Sequence, residues 1–335
     1  MIQYRYLGRS ALKVSPLAVG TQMFGGSADE MTASRIIAKA SDRGINFIDT
    51  ADTYNDGKSE EIVGRSIKAR RDWWVLATKF FNSRSTGPND GGFSRKWVMQ
   101  SVEASLRRLG TDYVDILYFH KTVLDAPLGE PLRAVADLIR HGKVRYFGVS
   151  NFRGWRIAEI AHLADQLGID RPIVSQPVYN IVNRSAEAEQ LPAANFYGLG
   201  VVPYSPLARG ILSGKYRADH APPPDSRIAR GDKRILDTEW RPESLEVARQ
   251  VTARAEARGM TAAEFAVAWV LNNKFVTAVL AGPRTEAQWD VYAKSLDAKL
   301  SAEDETFVNG LVTTGHPSTL GYNDPNLPME GRFPR

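Results

Sequence analysis

Short, nearly continuous apolar runs recur along this chain, separated by stretches in which apolar residues return every three or four positions. The runs end near Gly20, Asp49, Lys79, His120, Ser150, Pro177, Ser205 and Gly282. A run of this kind, bounded by turn residues, reads as a strand buried on both faces. Between the runs, helical spacing predicts helices over 32–43, 60–69, 94–109, 130–140, 154–167 and 186–197. The seventh gap holds two more, 242–257 and 262–272, and 286–296 follows the last run. Ser94 stands where a helix N-cap should be, Thr261 and Glu264 form a capping box, and Gly44, Gly110, Gly142, Gly168 and Gly259 stand where helices should stop.

Strand and helix alternating eight times predict an α/β fold, a closed parallel (α/β)8 TIM barrel rather than an open sheet. Residues 4–14 precede it as a small β-hairpin, and the whole of 1–335 reads as a single domain with 312–335 as a C-terminal tail. Two stretches, 82–93 and 215–241, escape the alternation and are long loops on the catalytic face, because a barrel builds its site from the loops after its strands. The tail either covers that face or hangs loose.

Composition narrows the chemistry. The 335 residues include no cysteine, which excludes disulfides, thiolate catalysis and sulfur-ligated metals. The five histidines have no ligand spacing, so no metal site is expected. A net charge of +5 is spread over short basic groups such as 68–71 and 227–234, which read as solvated helix faces and loops rather than a nucleic-acid surface. No apolar run approaches the roughly 18 residues that cross a bilayer, and the polar start lacks a signal peptide's apolar core, so the expected place is cytoplasmic.

Asp49, Lys79 and His120 each stand at the end of a predicted strand, and Tyr54 lies five residues past the carboxylate. An acid, a phenol, an ammonium and an imidazole brought together form a proton-donating site. A phenol is a slow donor near pH 7 unless its phenolate is stabilised. A neighbouring ammonium does this, a paired carboxylate holds the ammonium, and the imidazole can donate a hydrogen bond to a carbonyl oxygen gaining charge.

The stretch from Asn46 through Asp49 to Tyr54, with Glu60-Glu61-Ile62-Val63-Gly64 after it, resembles the first signature of the aldo-keto reductases. The resemblance continues through Ala77-Thr78-Lys79, Leu117-Tyr118-Phe119-His120, Gly148-Val149-Ser150-Asn151-Phe152, Ser175-Gln176-Pro177, Tyr179-Asn180 and 204–210. It implies a barrel that binds a nicotinamide cofactor without a Rossmann domain, and no Rossmann glycine fingerprint is present. It also implies the roles: Tyr54 as general acid, tuned by Lys79 and Asp49, with His120 orienting the carbonyl.

Carried over in the same way, Ser150, Asn151 and Gln176 match the carboxamide contacts, Tyr204 the residue that stacks on the nicotinamide, and Gly20, Thr21 and Asp49 the surroundings of that ring. Ser205, Pro206, Leu207, Gly210 and Lys215 resemble one phosphate loop, and Gly282, Arg284, Thr285 and Gln288 another. Arg284 offers a fork suited to a 2′-phosphate, which favours NADPH over NADH. Val291-Tyr292 stand where the family carries Glu-Asn near the adenine.

The implied reaction is reversible NADPH-dependent reduction of an aldehyde or ketone. A redox-sensing regulatory subunit with slow turnover and an alcohol dehydrogenase working oxidatively are the alternatives. The implied partner is a small-molecule carbonyl substrate, with neither nucleic acid nor membrane, and nothing in the sequence fixes an oligomeric state. Met23, Phe24, Phe80, Phe81, Phe93 and Trp240, with Tyr54 and His120, would make an aromatic mouth for a bulky or planar apolar substrate; the other reading of the aromatics is packing.

Overall fold

The structure, a computed structural model, describes residues 2–83, 86–123, 126–216, 220–224 and 226–327. Strands β1 (Arg5–Tyr6) and β2 (Lys13–Val14) form the expected hairpin, pairing antiparallel. The barrel then unfolds in order: β3 (Leu17–Gly20), α1 (Glu30–Asp42), β4 (Phe47–Asp49), α2 (Lys58–Ile67), β5 (Val75–Phe80), α3 (Arg95–Leu109), β6 (Val114–Phe119) and α4 (Gly129–Arg140). It continues with β7 (Val144–Ser150), α5 (Gly154–Leu167), β8 (Val174–Gln176), α6 (Gln190–Tyr197), β9 (Gly200–Val201), α7 (Lys233–Thr238), α8 (Pro242–Ala257) and α9 (Ala262–Asn272). Last come β10 (Val279–Ala281), α10 (Glu286–Lys294) and α11 (Ala302–Leu311).

Eight parallel strands follow one another in the order β10-β3-β4-β5-β6-β7-β8-β9. The ring closes between its last members through a parallel bridge of Val201 with Val276 and a hydrogen bond from Leu280 N to Pro203 O of 3.0 Å. Among the described residues the eight-stranded sheet is thus left without an open edge, which removes a template for pairing with other chains. This is the (α/β)8 barrel expected from the alternation.

Strand residues divide by parity, since successive side chains point to opposite faces. Ala18, Phe47, Val75, Ala77, Ile116, Tyr118, Val174, Val202 and Leu280 form the cluster inside the ring, closed at the base by Leu7 and Val14 of the hairpin. Leu17, Val19, Ile48, Leu76, Phe80, Leu117, Phe119, Val149 and Val279 face the helices in the larger outer cluster. Continuing the interior rows by two residues reaches Asp49, Lys79, His120, Gln176, Tyr204 and Gly282. The barrel thus aims at its own centre the residues that the sequence singled out.

Four details depart from expectation. The run ending at Ser205 is a strand only over Gly200–Val201, since Pro203 has no N–H to extend the ladder. The helix expected over 186–197 is a short turn, Ser185–Glu187, followed by α6. Within the loop 215–241 lies α7, capped by Asp232, whose side chain accepts from Ile235 N. After 286–296 comes α11, whose Ser301 and Asp304 form a capping box the periodicity passed over.

The described part of the tail, 312–327, is laid on the catalytic face. Buried Arg184 donates to Val312 O at 2.7 Å, Asn309 Oδ1 at 2.8 Å and Thr314 Oγ1 at 3.0 Å. Farther on, Arg234 makes a two-pronged ion pair with Asp324 at 2.7 and 2.6 Å, Arg241 covers the Tyr322 ring, and Arg153 donates to Leu327 O. The expected tail residues beyond 327, and positions 84–85, 217–219 and 225 of the two expected loops, lie outside the described residues.

One glycine is set by helix packing. A Cβ on Gly64 of α2 would lie 2.1 Å from the carbonyl oxygen of Leu109 at the end of α3, so only glycine lets these helices approach. Gly64→Ala should therefore lower unfolding stability by roughly 1–3 kcal/mol, the cost of overpacking. Urea denaturation measures this, and an unchanged midpoint would mean the two helices have room to part.

Candidate active site

Local structure fixes each of the four polar residues at the mouth of the barrel. Asp49 and Lys79 end interior rows of β4 and β5, and both are buried. Tyr54 opens a short turn, Tyr54–Gly57, in which Asn55 and Asp56 take left-handed backbone angles of φ 47° and 54°. Asn55 holds that turn by donating to Gln22 O and Phe24 O, both at 2.8 Å. His120 follows β6, and its backbone N–H donates to Phe80 O at 3.1 Å.

The four meet. Lys79 Nζ forms an ion pair with Asp49 Oδ1 and donates to Thr50 O at 2.8 Å. Gln176 Nε2 donates to the other carboxylate oxygen at 2.9 Å. The ammonium lies 5.1 Å from the centre of the Tyr54 ring, and the Tyr54 and His120 rings stand 6.0 Å apart, nearly perpendicular. Behind them, Thr78 donates to buried Glu60, which Arg108 neutralises at 2.6 Å.

Electrostatics assign the protons. Burial works against the Lys79 charge, but Asp49 and the Tyr54 phenol outweigh it and hold the ammonium above its ordinary range. For Tyr54 the balance runs opposite to the expectation that Lys79 would lower it. Burial pushes the phenol up, Asp49 and Asp52 add to this, and Lys79 only moderates the rise. The phenol is therefore neutral and proton-bearing at physiological pH. His120 is pushed down to about 3 by burial, with Lys79 and Lys121 adding repulsion, so its imidazole is neutral too.

Tyr54 and His120 open onto a cavity of about 830 Å³, with Lys79 and Asp49 buried behind them. Its walls include Gly20, Thr21, Ser150, Asn151, Gln176, Tyr204, Ser205, Pro206, Leu207, Gly210, Lys215, Gly282, Arg284 and Gln288, so the sequence-predicted cofactor set converges there. Asp49 and Thr285 are the exceptions: Asp49 lies beneath the wall and reaches the cavity through Gln176, and Thr285 caps α10 behind Gln288. One end offers amide-binding groups linked in series. Ser150 Oγ donates to Gln176 O at 2.9 Å, Asn151 Nδ2 donates to His120 O at 3.0 Å, and Tyr204 OH donates to Asn151 Oδ1 at 2.8 Å. The other end carries Lys215 and Arg284 beside the N-terminus of α10, where Thr285 accepts from Gln288 N. Hydrogen-bonding groups at one end and positive charge at the other suit a nicotinamide dinucleotide.

The predicted aromatic mouth is corrected. Met23, Tyr54 and His120 line the cavity, but Phe24 and Phe80 are fully buried in the outer core and Phe81 packs on Phe93, with Phe93 itself buried. Parity explains Phe80: if Lys79 points inward, its neighbour points out to the helices. Trp240 packs edge-on against Tyr216 instead. In place of aromatics the cavity has Asn82, Lys121, Arg209, Arg227, Arg230, Arg234, Asn326 and Leu327, which sequence reasoning did not assign. The signal for the arginines is the basic group 227–234, which local pattern assigns to solvent although Arg227, Arg230 and Arg234 face the cavity. Among the described residues no cluster of three or more potential metal ligands occurs, and no helix is long and apolar enough to cross a membrane.

Comparison with known proteins agrees with this geometry. A sequence model described as Aldo/keto reductase family matches residues 16–311. A protein of Oryza sativa subsp. japonica named probable voltage-gated potassium channel subunit beta is 37% identical over 302 residues, covering 88% of this chain and 92% of that protein. A protein of Arabidopsis thaliana with the same name is 38% identical over 302 residues, with the same 88% and 92% coverage. Bacillus subtilis (strain 168) has an uncharacterized oxidoreductase, YrpG, that is 37% identical over 322 residues, covering 92% of this chain and 96% of its own length.

The neutral state of His120 has a measurable cost in acid. The unfolded chain takes up a proton at His120 as pH falls through 6.5, whereas the folded chain does so only near 3. Stability from this group is therefore complete above pH 6.5 and lost progressively between 6.5 and about 3. His120→Asn should flatten that part of the profile of urea midpoint against pH. An unaltered profile would mean that His120 titrates near its ordinary value in the folded protein.

Proposed function

Because the chain belongs to the aldo/keto reductase family, whose members are oxidoreductases acting on carbonyl compounds with nicotinamide cofactors, we propose that it reversibly reduces an aldehyde or ketone to an alcohol with NADPH. The observation that carries this reading is the buried Asp49–Lys79 ion pair set beneath a neutral Tyr54 and across from a neutral His120.

The bound nicotinamide would supply hydride to the carbonyl carbon. Tyr54 gives its phenolic proton to the carbonyl oxygen, so that carbon and oxygen together gain the two hydrogens of the alcohol. The Lys79 ammonium stabilises the phenolate as it forms, and Asp49 keeps that ammonium charged and in position. A neutral His120 that accepts from Asn82 at Nδ1, a contact of 3.4 Å, carries its proton on Nε2 and donates it as a hydrogen bond to the same oxygen. A protonated His120 would instead repel Lys79, so its depressed basicity fits this role.

Ser150, Asn151 and Gln176 would hold the carboxamide, with Tyr204 against the ring, and Lys215 and Arg284 would neutralise the phosphates. The preference for NADPH rests on the Arg284 fork. Val291 and Tyr292 line the cavity where the family carries Glu-Asn, so an apolar and aromatic wall would face the adenine instead of two hydrogen-bonding side chains. A second reading, a regulatory subunit that binds the cofactor and turns over slowly, is favoured by the names of the two plant relatives.

Tyr54→Phe should leave NADPH affinity near that of the parent in a fluorescence titration and lower 4-nitrobenzaldehyde turnover by roughly 10²- to 10⁴-fold; retained turnover would remove Tyr54 from the acid role. Tight NADPH binding by the parent without turnover would select the regulatory reading. Arg284→Ala should weaken NADPH more than NADH in the same titration, and equal losses would mean that Arg284 does not read the 2′-phosphate.

A further inference from the structure

Among the cationic side chains that line the cavity, Arg209 is the one with a buried donor that meets no hydrogen-bond partner among the described residues. Arg209 lines the cavity wall on the turn after β9, where its backbone takes φ 54° between Ala208 at φ 46° and Gly210 at φ 107°. Its Nε is buried and has no hydrogen-bond partner. The neighbouring arginines differ. Arg227 pairs with Asp232 at 2.8 Å and Arg234 with Asp324 at 2.6 Å, whereas among the described residues no carboxylate pairs with Arg209, and Glu239 acts on it only at longer range. A strained backbone that presents an unsatisfied, partly buried guanidinium to a cavity calls for an explanation in function.

Location selects the kind of ligand. Arg234, Glu239 and Arg227 act on Arg209 through their charges, with the Tyr204 hydroxyl also near, and on its other side Lys215 Nζ lies against neighbouring Gly210, where a Cβ would come within 3.2 Å of it. Tyr204 in turn feels Arg209, Arg234, Asp324 and Tyr54, and its hydroxyl donates to Asn151, which holds the carbonyl of His120. Arg209 therefore stands between the reacting groups and the phosphate end of the cavity, within reach of an anionic group on a substrate held against Tyr204. The aromatic side chains expected at that mouth have gone into the core, which leaves it polar and cationic.

We propose that Arg209 binds an anionic group on the substrate, so that the preferred substrates are aldehydes or ketones carrying a carboxylate. This rests on the carbonyl-reductase reading. The guanidinium fork matches a carboxylate's two oxygens, and the binding would satisfy Nε, the donor that folding leaves buried and unpaired. Arg234, already engaged with Asp324 of the tail, adds positive potential without competing for the same oxygens.

The test compares 4-carboxybenzaldehyde with the neutral, similarly shaped 4-nitrobenzaldehyde in the full-length protein with NADPH. Arg209→Gly removes the side chain at a backbone angle glycine accepts without strain. The ratio of kcat/KM for the carboxylated over the neutral aldehyde should fall roughly ten- to a hundred-fold, the range for losing hydrogen bonds to a charged group. Arg209→Lys, which keeps the charge but not the fork, should give an intermediate ratio. An unchanged ratio overturns the proposal. So does an NADPH dissociation constant weakened as much as the ratio falls, which would assign Arg209 to the cofactor's phosphates. If the parent reduces neither aldehyde, the reductase reading fails and benzoate binding to the NADPH-loaded protein, followed by fluorescence, decides for Arg209 alone. Binding that Arg209→Gly abolishes supports the anion site, and equal binding by both proteins overturns it.

Discussion

An ion pair enclosed in the barrel mouth organises the rest of the site. Lys79 and Asp49 are both buried, and a lone charge in either place would be destabilising by several kcal/mol. Each is therefore committed to the other, and their remaining hydrogen-bonding capacity goes to Thr50 and Gln176. The pair fixes a positive charge under the Tyr54 ring and near His120, where it adds to the burial that keeps the imidazole neutral. Burial, which obliges the two charges to pair, is thus also what keeps Tyr54 and His120 neutral.

The barrel supplies the pair at little geometric cost. Interior rows alternate with outer rows, so Phe47 and Asp49, Val75, Ala77 and Lys79, and Ile116, Tyr118 and His120 all point to one axis. Toward the base these rows are apolar and fill the ring; at the carboxyl end they become polar where the ring opens to the loops. The change from packing to chemistry takes place within single strands, over two residues.

Much of the positive charge in the cavity comes from a different source, the long segment after β9, over which the tail folds. Arg227, Arg230 and Arg234 line the cavity, with Arg227 held by Asp232 and Arg234 held by Asp324 of the tail. Arg184 anchors the start of that tail from below through three separate acceptors. The rim is thus assembled from parts distant in sequence, and its polarity depends on their docking.

The sequence alone determined the barrel, the hairpin, most helix ends and the convergence of Asp49, Tyr54, Lys79 and His120. These follow from local rules: period-two and period-3.6 patterns, caps, and turns after strands. It misjudged what depends on where a side chain points once neighbours are packed. Phe24 and Phe80 look like pocket residues in a list but belong to the outer core, and Asp49 lies below the cavity wall rather than in it. Local pattern likewise could not separate the cavity-lining arginines of 227–234 from solvated ones, or tell that burial would outweigh Lys79 in setting the Tyr54 phenol. Tertiary structure decided these because desolvation and charge pairing act through space, between residues that sequence spacing does not relate.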